Sequence, residues 1–98
     1  MDNDKMIRIC KAAVVDYFNK NVDKTENFHI AMDDCYIVWF CKTLQNFKAL
    51  VSTTVPDGMY YELTYSGDKD ELYLDVYKRF KNVCLKLTDV PGSFETSK

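Results

Sequence analysis

The chain has 98 residues, enough for one domain with a modest hydrophobic core and too few for two. Hydrophobic residues make up 47% of it and charged residues 29%, which excludes an intrinsically disordered protein. The 13 basic and 15 acidic side chains leave a formal charge of -2, which excludes the basic footprint of a duplex-binding protein. No run approaches the roughly 18 apolar residues of a membrane span. We expect one domain over residues 1–98, without a membrane partner.

The four cysteines, Cys10, Cys35, Cys41 and Cys84, lack the short paired spacing of zinc or redox motifs, and no signal peptide is recognisable. We expect buried, reduced thiols in a cytosolic protein, with no metal site. Cys35 and Cys41 are six residues apart, an even spacing that places both on one side of a strand.

The first predicted element is an amphipathic helix over about residues 4–19, where apolar residues recur at steps of three and four. Asp2, Asn3 or Asp4 can cap its first turn. A polar connection follows over residues 19–34, interrupted by a short apolar stretch at 28–30 that indicates a brief strand or turn.

Three strands are predicted next. The run Cys35–Leu44 is dense in β-branched and aromatic residues and predicts a central strand buried on both sides. Gln45 and Asn46 form a tight turn, and Phe47–Thr54 is the hairpin partner. Pro56–Gly58 is a second turn signal, followed by a strand over residues 59–65.

The last predicted element is a second amphipathic helix. Asp68 to Glu71 has the spacing of a capping box, and apolar residues then follow a helical period as far as Leu87. An alternative stays open, because Leu72, Leu74 and Val76 also alternate and a short fourth strand over residues 71–75 fits them. The predicted fold class is α+β: an N-terminal helix, a three-stranded antiparallel meander and a C-terminal helix, with a frayed tail over residues 89–98.

This element order resembles the topology of double-stranded RNA-binding domains, which place basic residues at the start of the last helix. Here that position carries Asp68, Asp70 and Glu71, which would repel phosphate. The tracts Tyr36–Thr54, Pro56–Glu62 and Gly67–Phe80 resemble a family of small phage and prophage proteins of unknown function from Gram-positive bacteria. The resemblance implies expression in the cytoplasm of a bacterial host, where such proteins often bind and disable host or defence machinery.

Catalytic motifs are not evident in the sequence. The one histidine, His29, has no partner at a fixed spacing, and none of the three glycines lies in a phosphate-binding loop. The acidic runs at 33–34 and 68–71 lack the pattern of a calcium loop. We expect a protein that is not an enzyme and needs no cofactor.

Aromatic residues around the sheet are the candidate functional feature. Phe40, Tyr61 and Tyr77 are predicted to lie in the core. Strand alternation then turns Tyr60 outward, and partly exposed Tyr and Trp on a rigid sheet commonly anchor protein interfaces or stack on bases. The candidate binding residues are Tyr36, Trp39, Lys42, Lys48, Tyr60 and Glu62.

Two functions fit this pattern. The first is an inhibitor or modulator that docks its sheet on a host, defence or phage protein, or on a second copy of itself. The second is a binder or sponge of a nucleotide-derived ligand or single-stranded nucleic acid, with Lys42, Lys48 or Arg79 meeting the phosphates.

Overall fold

The computed structural model describes residues 2–21 and 28–92. One helix, α1 (Asn3–Asn21), precedes four strands: β1 (Cys35–Thr43), β2 (Asn46–Thr53), β3 (Met59–Ser66) and β4 (Glu71–Lys78). Short 3-10 turns lie at Met32–Asp34 and Leu87–Asp89. The predicted polar connection falls partly, and the predicted frayed tail mostly, outside the described residues.

Helix α1 confirms the first prediction and extends it by a residue or two at each end. The Asp2 carboxylate accepts a hydrogen bond of 2.7 Å from the backbone N–H of Lys5, which caps the first turn. Met6, Cys10 and Val14 recur every four residues and are the buried side of the helix.

The strands form one antiparallel sheet in the order β1-β2-β3-β4, so each strand pairs with its neighbour in the chain. The turn at Pro56–Gly58 and the strand β3 agree with the sequence prediction. Gly58 has a φ of 72°, which glycine adopts without steric cost. The β1–β2 turn differs: Leu44, not Asn46, takes the positive φ, at 56°.

The core lies between α1 and one side of the sheet. Helix α1 packs over β1 and β2, and the Tyr17 ring reaches β3, where it meets Tyr61 edge-on at 6.2 Å. The most buried sheet residues are in the two central strands: Phe47, Ala49 and Val51 in β2, and Tyr61 and Leu63 in β3. We call this the helix side of the sheet.

Residues 28–31, before β1, lie against the helix through a pair of hydrogen bonds to Asn19 and a ring contact between Phe28 and Phe18. The Asn19 amide donates to the Ile30 carbonyl at 3.1 Å and accepts from the Ile30 N–H at 2.9 Å. Ile30 is 5% exposed, so this pair of bonds places an apolar anchor beneath the helix before β1 begins.

The predicted C-terminal helix was wrong, and the alternative of a fourth strand describes the structure better. Residues 71–78 form β4, which pairs with β3 from Ser66↔Glu71 to Met59↔Lys78. Residues 67–70 are a hairpin turn in which Asp70 has a φ of 52°. The residues that were interpreted as a capping box therefore form the turn before β4. The α-β-β-β-α order and its likeness to RNA-binding domains are therefore overturned.

Strand β1 is also not central, because it is the outer strand of the sheet. Its pairing with β2 shifts between Ile37 and Trp39, where Val38 is an extra residue in a β-bulge. The bulge reverses the side alternation, so Cys35 is buried on the helix side while Cys41 is exposed on the other. The six-residue spacing therefore did not place the two thiols together, and Cys84 is exposed as well.

Beyond β4 the chain continues as an extended segment over residues 79–86. The radius of gyration is 17.3 Å, against about 13 Å for a compact domain of this length. The side chains of this segment are all exposed.

Candidate binding face

The candidate site is the side of the sheet opposite α1, which we call the open face. Side chains directly opposite each other in an antiparallel ladder point to the same side, and neighbours along a strand alternate. The buried series Phe47, Ala49 and Val51 marks the helix side, so the residues between them point the other way. The open face consists of Tyr36, Trp39, Cys41, Lys48, Leu50, Ser52, Tyr60, Glu62, Thr64, Tyr73, Asp75 and Tyr77.

A row of paired residues crosses the middle of this face. Trp39 lies opposite Leu50, Leu50 opposite Glu62, and Glu62 opposite Asp75. The Lys48 ammonium is 3.6 Å from the Glu62 carboxylate, and both groups are partly exposed. Trp39 is 40% exposed, so an aromatic ring at the β1 end and a carboxylate at the β4 end are both available to a partner.

Tyrosines occupy the rest of the face. Tyr60 in β3 pairs directly with Tyr77 in β4, while Tyr36 stands in β1 at the same end of the sheet. Tyr73 is the fourth; its hydroxyl donates to the Glu71 carboxylate at 2.8 Å, and this hydrogen bond raises the pKa of the phenol. Tyr36, Tyr73 and Tyr77 each expose about half of their surface.

The structure brings together five of the six residues that the sequence nominated. Tyr36, Trp39, Lys48, Tyr60 and Glu62 share the open face, where Tyr60 is half-buried and Tyr61 beside it is only 2% exposed.

Lys42 is the exception. It lies opposite Phe47 on the helix side of the sheet, where it borders a groove of about 430 Å³ with Met6, Gln45 and Tyr65. Lys42 and Lys48 therefore face opposite sides of the sheet, so these two candidate phosphate-binding lysines cannot act together on one ligand at the open face.

Tyr73 and Tyr77 were missed as site residues because they were assigned to a helix, with Tyr77 in its core. The alternation of Leu72, Leu74 and Val76 was the signal that could have found them. These three residues are half-buried on the helix side, which turns the tyrosines between them outward.

The other cysteine and histidine side chains that the structure describes form no catalytic arrangement with the open face. Burial raises the pKa of the Cys10 thiol to about 11, and it raises the pKa of Cys35, where the nearby Lys11 lowers the pKa and Asp34 raises it by smaller amounts. His29 is exposed next to the anchored Ile30. Among the described residues, no group of three or more His, Cys, Asp or Glu side chains is placed to hold a metal ion.

The fold and face define the class: a small α+β domain in which one helix covers one side of a four-stranded antiparallel meander and aromatic side chains occupy the other. The chain belongs to a family of unknown function, DUF6275, whose model matches residues 7–87. No curated protein and no solved structure matches the chain. Within the described residues, no helix has the length and apolar character needed to cross a bilayer.

Proposed function

We propose that the chain is a non-enzymatic protein-binding module that contacts its partner through the open face. The observation that carries the proposal is the placement of five aromatic side chains and Leu50 on one uncovered side of a rigid sheet. Aromatic residues of this kind contribute large contact area at low entropic cost and dominate binding energy at interfaces. The aromatic residues are Tyr36, Trp39, Tyr60, Tyr73 and Tyr77.

The charges on this face favour a partner that presents basic side chains. Glu62 and Asp75 are direct neighbours across β3 and β4, and Glu71 lies further along the same edge. Lys48 offsets part of the charge of Glu62. Arginine and lysine side chains of a partner would meet carboxylates at the β4 edge and aromatic ring faces beside them.

We further propose that the partner is a host or defence protein in the cytoplasm of a bacterium. This step rests on the resemblance of the β1–β2, β3 and β4 tracts to phage and prophage proteins, since the family description states neither origin nor role. It gives the experiment its source of partners, a bacterial lysate.

The test is capture from that lysate by the tagged protein, compared with two variants. Trp39→Ala combined with Tyr73→Ala removes two exposed rings from opposite edges of the open face. Leu44→Ala is the control, because Leu44 is 83% exposed in the β1–β2 turn, away from the face. We expect the wild type and the control to retain the same stoichiometric protein and the double variant to lose it, with unchanged circular dichroism. Equal capture by all three would refute the proposal.

A nucleotide or single-stranded nucleic acid is a second candidate ligand, supported by one groove. Arg79, Tyr36 and Tyr60 border a cleft of about 340 Å³ at one end of the sheet, which combines a guanidinium with two rings. Titration with ATP and with labelled oligothymidine tests this candidate. Binding that Arg79→Glu abolishes would favour it over a protein partner, and the absence of saturable binding would exclude it.

A further inference from the structure

The segment that follows β4 exposes apolar side chains that a monomer leaves unpacked. We call residues 79–87 the arm. Phe80 is 98% exposed, Val83 57%, Leu85 66% and Leu87 68%. Soluble monomers rarely present such a run of apolar residues unless a partner covers it.

The arm has the chemistry of a strand. Val83, Leu85 and Leu87 alternate with Cys84 and Lys86, which is the period of a half-buried strand. The arm contains no glycine or proline, and the next turn signal is the Pro-Gly pair at positions 91–92. The family match also runs through position 87, so the arm is part of the matched domain.

The arm does not fold back on its own sheet. The Arg79 N–H donates to the Gly58 carbonyl at 2.8 Å, which continues the β3–β4 ladder by one step. From there the chain continues in the direction of β4 without a turn, so its apolar residues project beyond the end of the sheet. Within residues 2–21 and 28–92 no strand pairs with the arm, and a second molecule can supply one.

The edge best suited to receive such a strand is β4 of a second copy. Both outer strands, β1 and β4, have one side that no other strand of the described residues pairs with. The bulge at Val38 interrupts β1, and bulges hinder the addition of a strand at an edge. The β4 ladder with β3 is unbroken from Glu71 to Lys78, which leaves a straight edge of unpaired backbone groups.

Charge makes the β4–arm strand complementary to itself in the antiparallel direction. Its amino-terminal half carries Glu71 and Asp75, its centre carries Lys78, and its carboxyl-terminal half carries Arg79, Lys81 and Lys86. Antiparallel pairing of two copies sets the acidic half of each against the basic half of the other. Parallel pairing would set like charges together.

We propose that two copies form a two-fold symmetric dimer in which the arm of each adds to the β4 edge of the other. In a dimer with a two-fold axis perpendicular to the sheet, the numbers of two residues that lie opposite each other across the interface add to an even number. This follows because paired side chains point to the same side of the sheet. The register that we propose places Asp75 opposite Lys81 and leaves Lys78 opposite Lys78 of the other copy on the axis. In this register Val76 lies opposite Phe80, and Tyr73 opposite Val83.

The experiment is sedimentation velocity of the full chain over a range of concentrations, with three variants. Wild type is expected to reach about twice the 11.5 kDa of one chain. Leu85→Asp places a charge opposite Glu71 and is expected to weaken the dimer about a hundredfold. Asn82→Pro removes a ladder donor and is expected to weaken it similarly, because the Arg79 N–H points toward β3 and N–H groups alternate along a strand, so those of even-numbered residues face the other copy. Leu44→Asp is the control for adding a charge to an exposed leucine, and it should leave the dimer intact.

Exchange of one charge pair tests the register. Asp75→Lys and Lys81→Glu each create like-charge contacts, twice per dimer, and each is expected to weaken association about tenfold. The two substitutions together restore opposite charges and are expected to recover the wild-type constant. A wild type that stays monomeric, a dimer insensitive to Leu85→Asp and Asn82→Pro, or a double variant as weak as the single variants would overturn the proposal.

Discussion

Replacement of Tyr61 by alanine is the sharpest test of which side of the sheet is the core. Tyr61 is 2% exposed and packs edge-on against Tyr17, with ring centroids 6.2 Å apart. A buried tyrosine removes about 150 Å² or more from water, which at about 25 cal/mol per Å² corresponds to about 4 kcal/mol. We expect Tyr61→Ala to lower the free energy of unfolding by about 3–5 kcal/mol.

The matched control is Tyr36→Ala, at a tyrosine of the open face that is 48% exposed and lies on β1. We expect it to cost about 1 kcal/mol, because the ring is half in water in the folded state. Tyr61→Phe, which keeps the ring, should retain most of the stability. Urea denaturation followed by circular dichroism measures all three. Equal losses for Tyr61→Ala and Tyr36→Ala would show that α1 does not define the core side.

Two further predictions follow from buried groups and a tight turn. Burial raises the pKa of Tyr61 to about 12 from 10.0 and that of Cys10 to about 11 from 9.0, so the folded state holds these protons longer than the unfolded state does. The contribution of these two groups to the free energy of unfolding is complete below pH 9 and is lost as the pH rises from 9 to 12. Urea titrations at several pH values should show this loss, and a stability that does not change with pH would contradict the prediction. At the β3–β4 turn, Gly67→Ala would place a methyl group 2.5 Å from the Gln45 carbonyl oxygen, and we expect it to cost about 1–3 kcal/mol by thermal unfolding, against no change if the two turns do not touch.

Elements with one consistent pattern could be predicted from the sequence. The helical period around Met6, Cys10 and Val14 has no competing alternation, and α1 follows it closely. The turn at Pro56–Gly58 combines two residues with restricted or permissive backbones, and the β3 boundary follows from it.

Residues 71–87 carry two patterns, and local sequence cannot choose between them. Helical spacing and strand alternation share Leu72 and Val76, so the choice depends on contacts made elsewhere. The β3 strand offers a straight edge, and the tyrosines at 73 and 77 have high β-propensity, which together favour a ladder. The tertiary partner thus overrode the helical period, and the open face gained two tyrosines.

The bulge at Val38 could likewise not be predicted from the alternation of side chains along β1. Counting by two from Cys35 would place Trp39 on the helix side and Tyr36 on the open face. The register shift after Ile37 moves Trp39 to the open face beside Leu50. One extra residue therefore supplies the central aromatic ring of the candidate site, and no feature of the sequence marks it.

The two proposals meet in the geometry of β4. A two-fold axis perpendicular to the sheet leaves the open faces of both copies on the same side of the dimer. Val83 and Leu85 are odd-numbered like Tyr73 and point to the same side, so they extend the open face of the second copy beyond its β4 edge. A partner protein with two matching sites would bind such a dimer bivalently, with an avidity above that of either face alone. Variants of the arm would then weaken partner capture through loss of bivalency, while variants of Trp39 would weaken it without changing the sedimentation of the dimer.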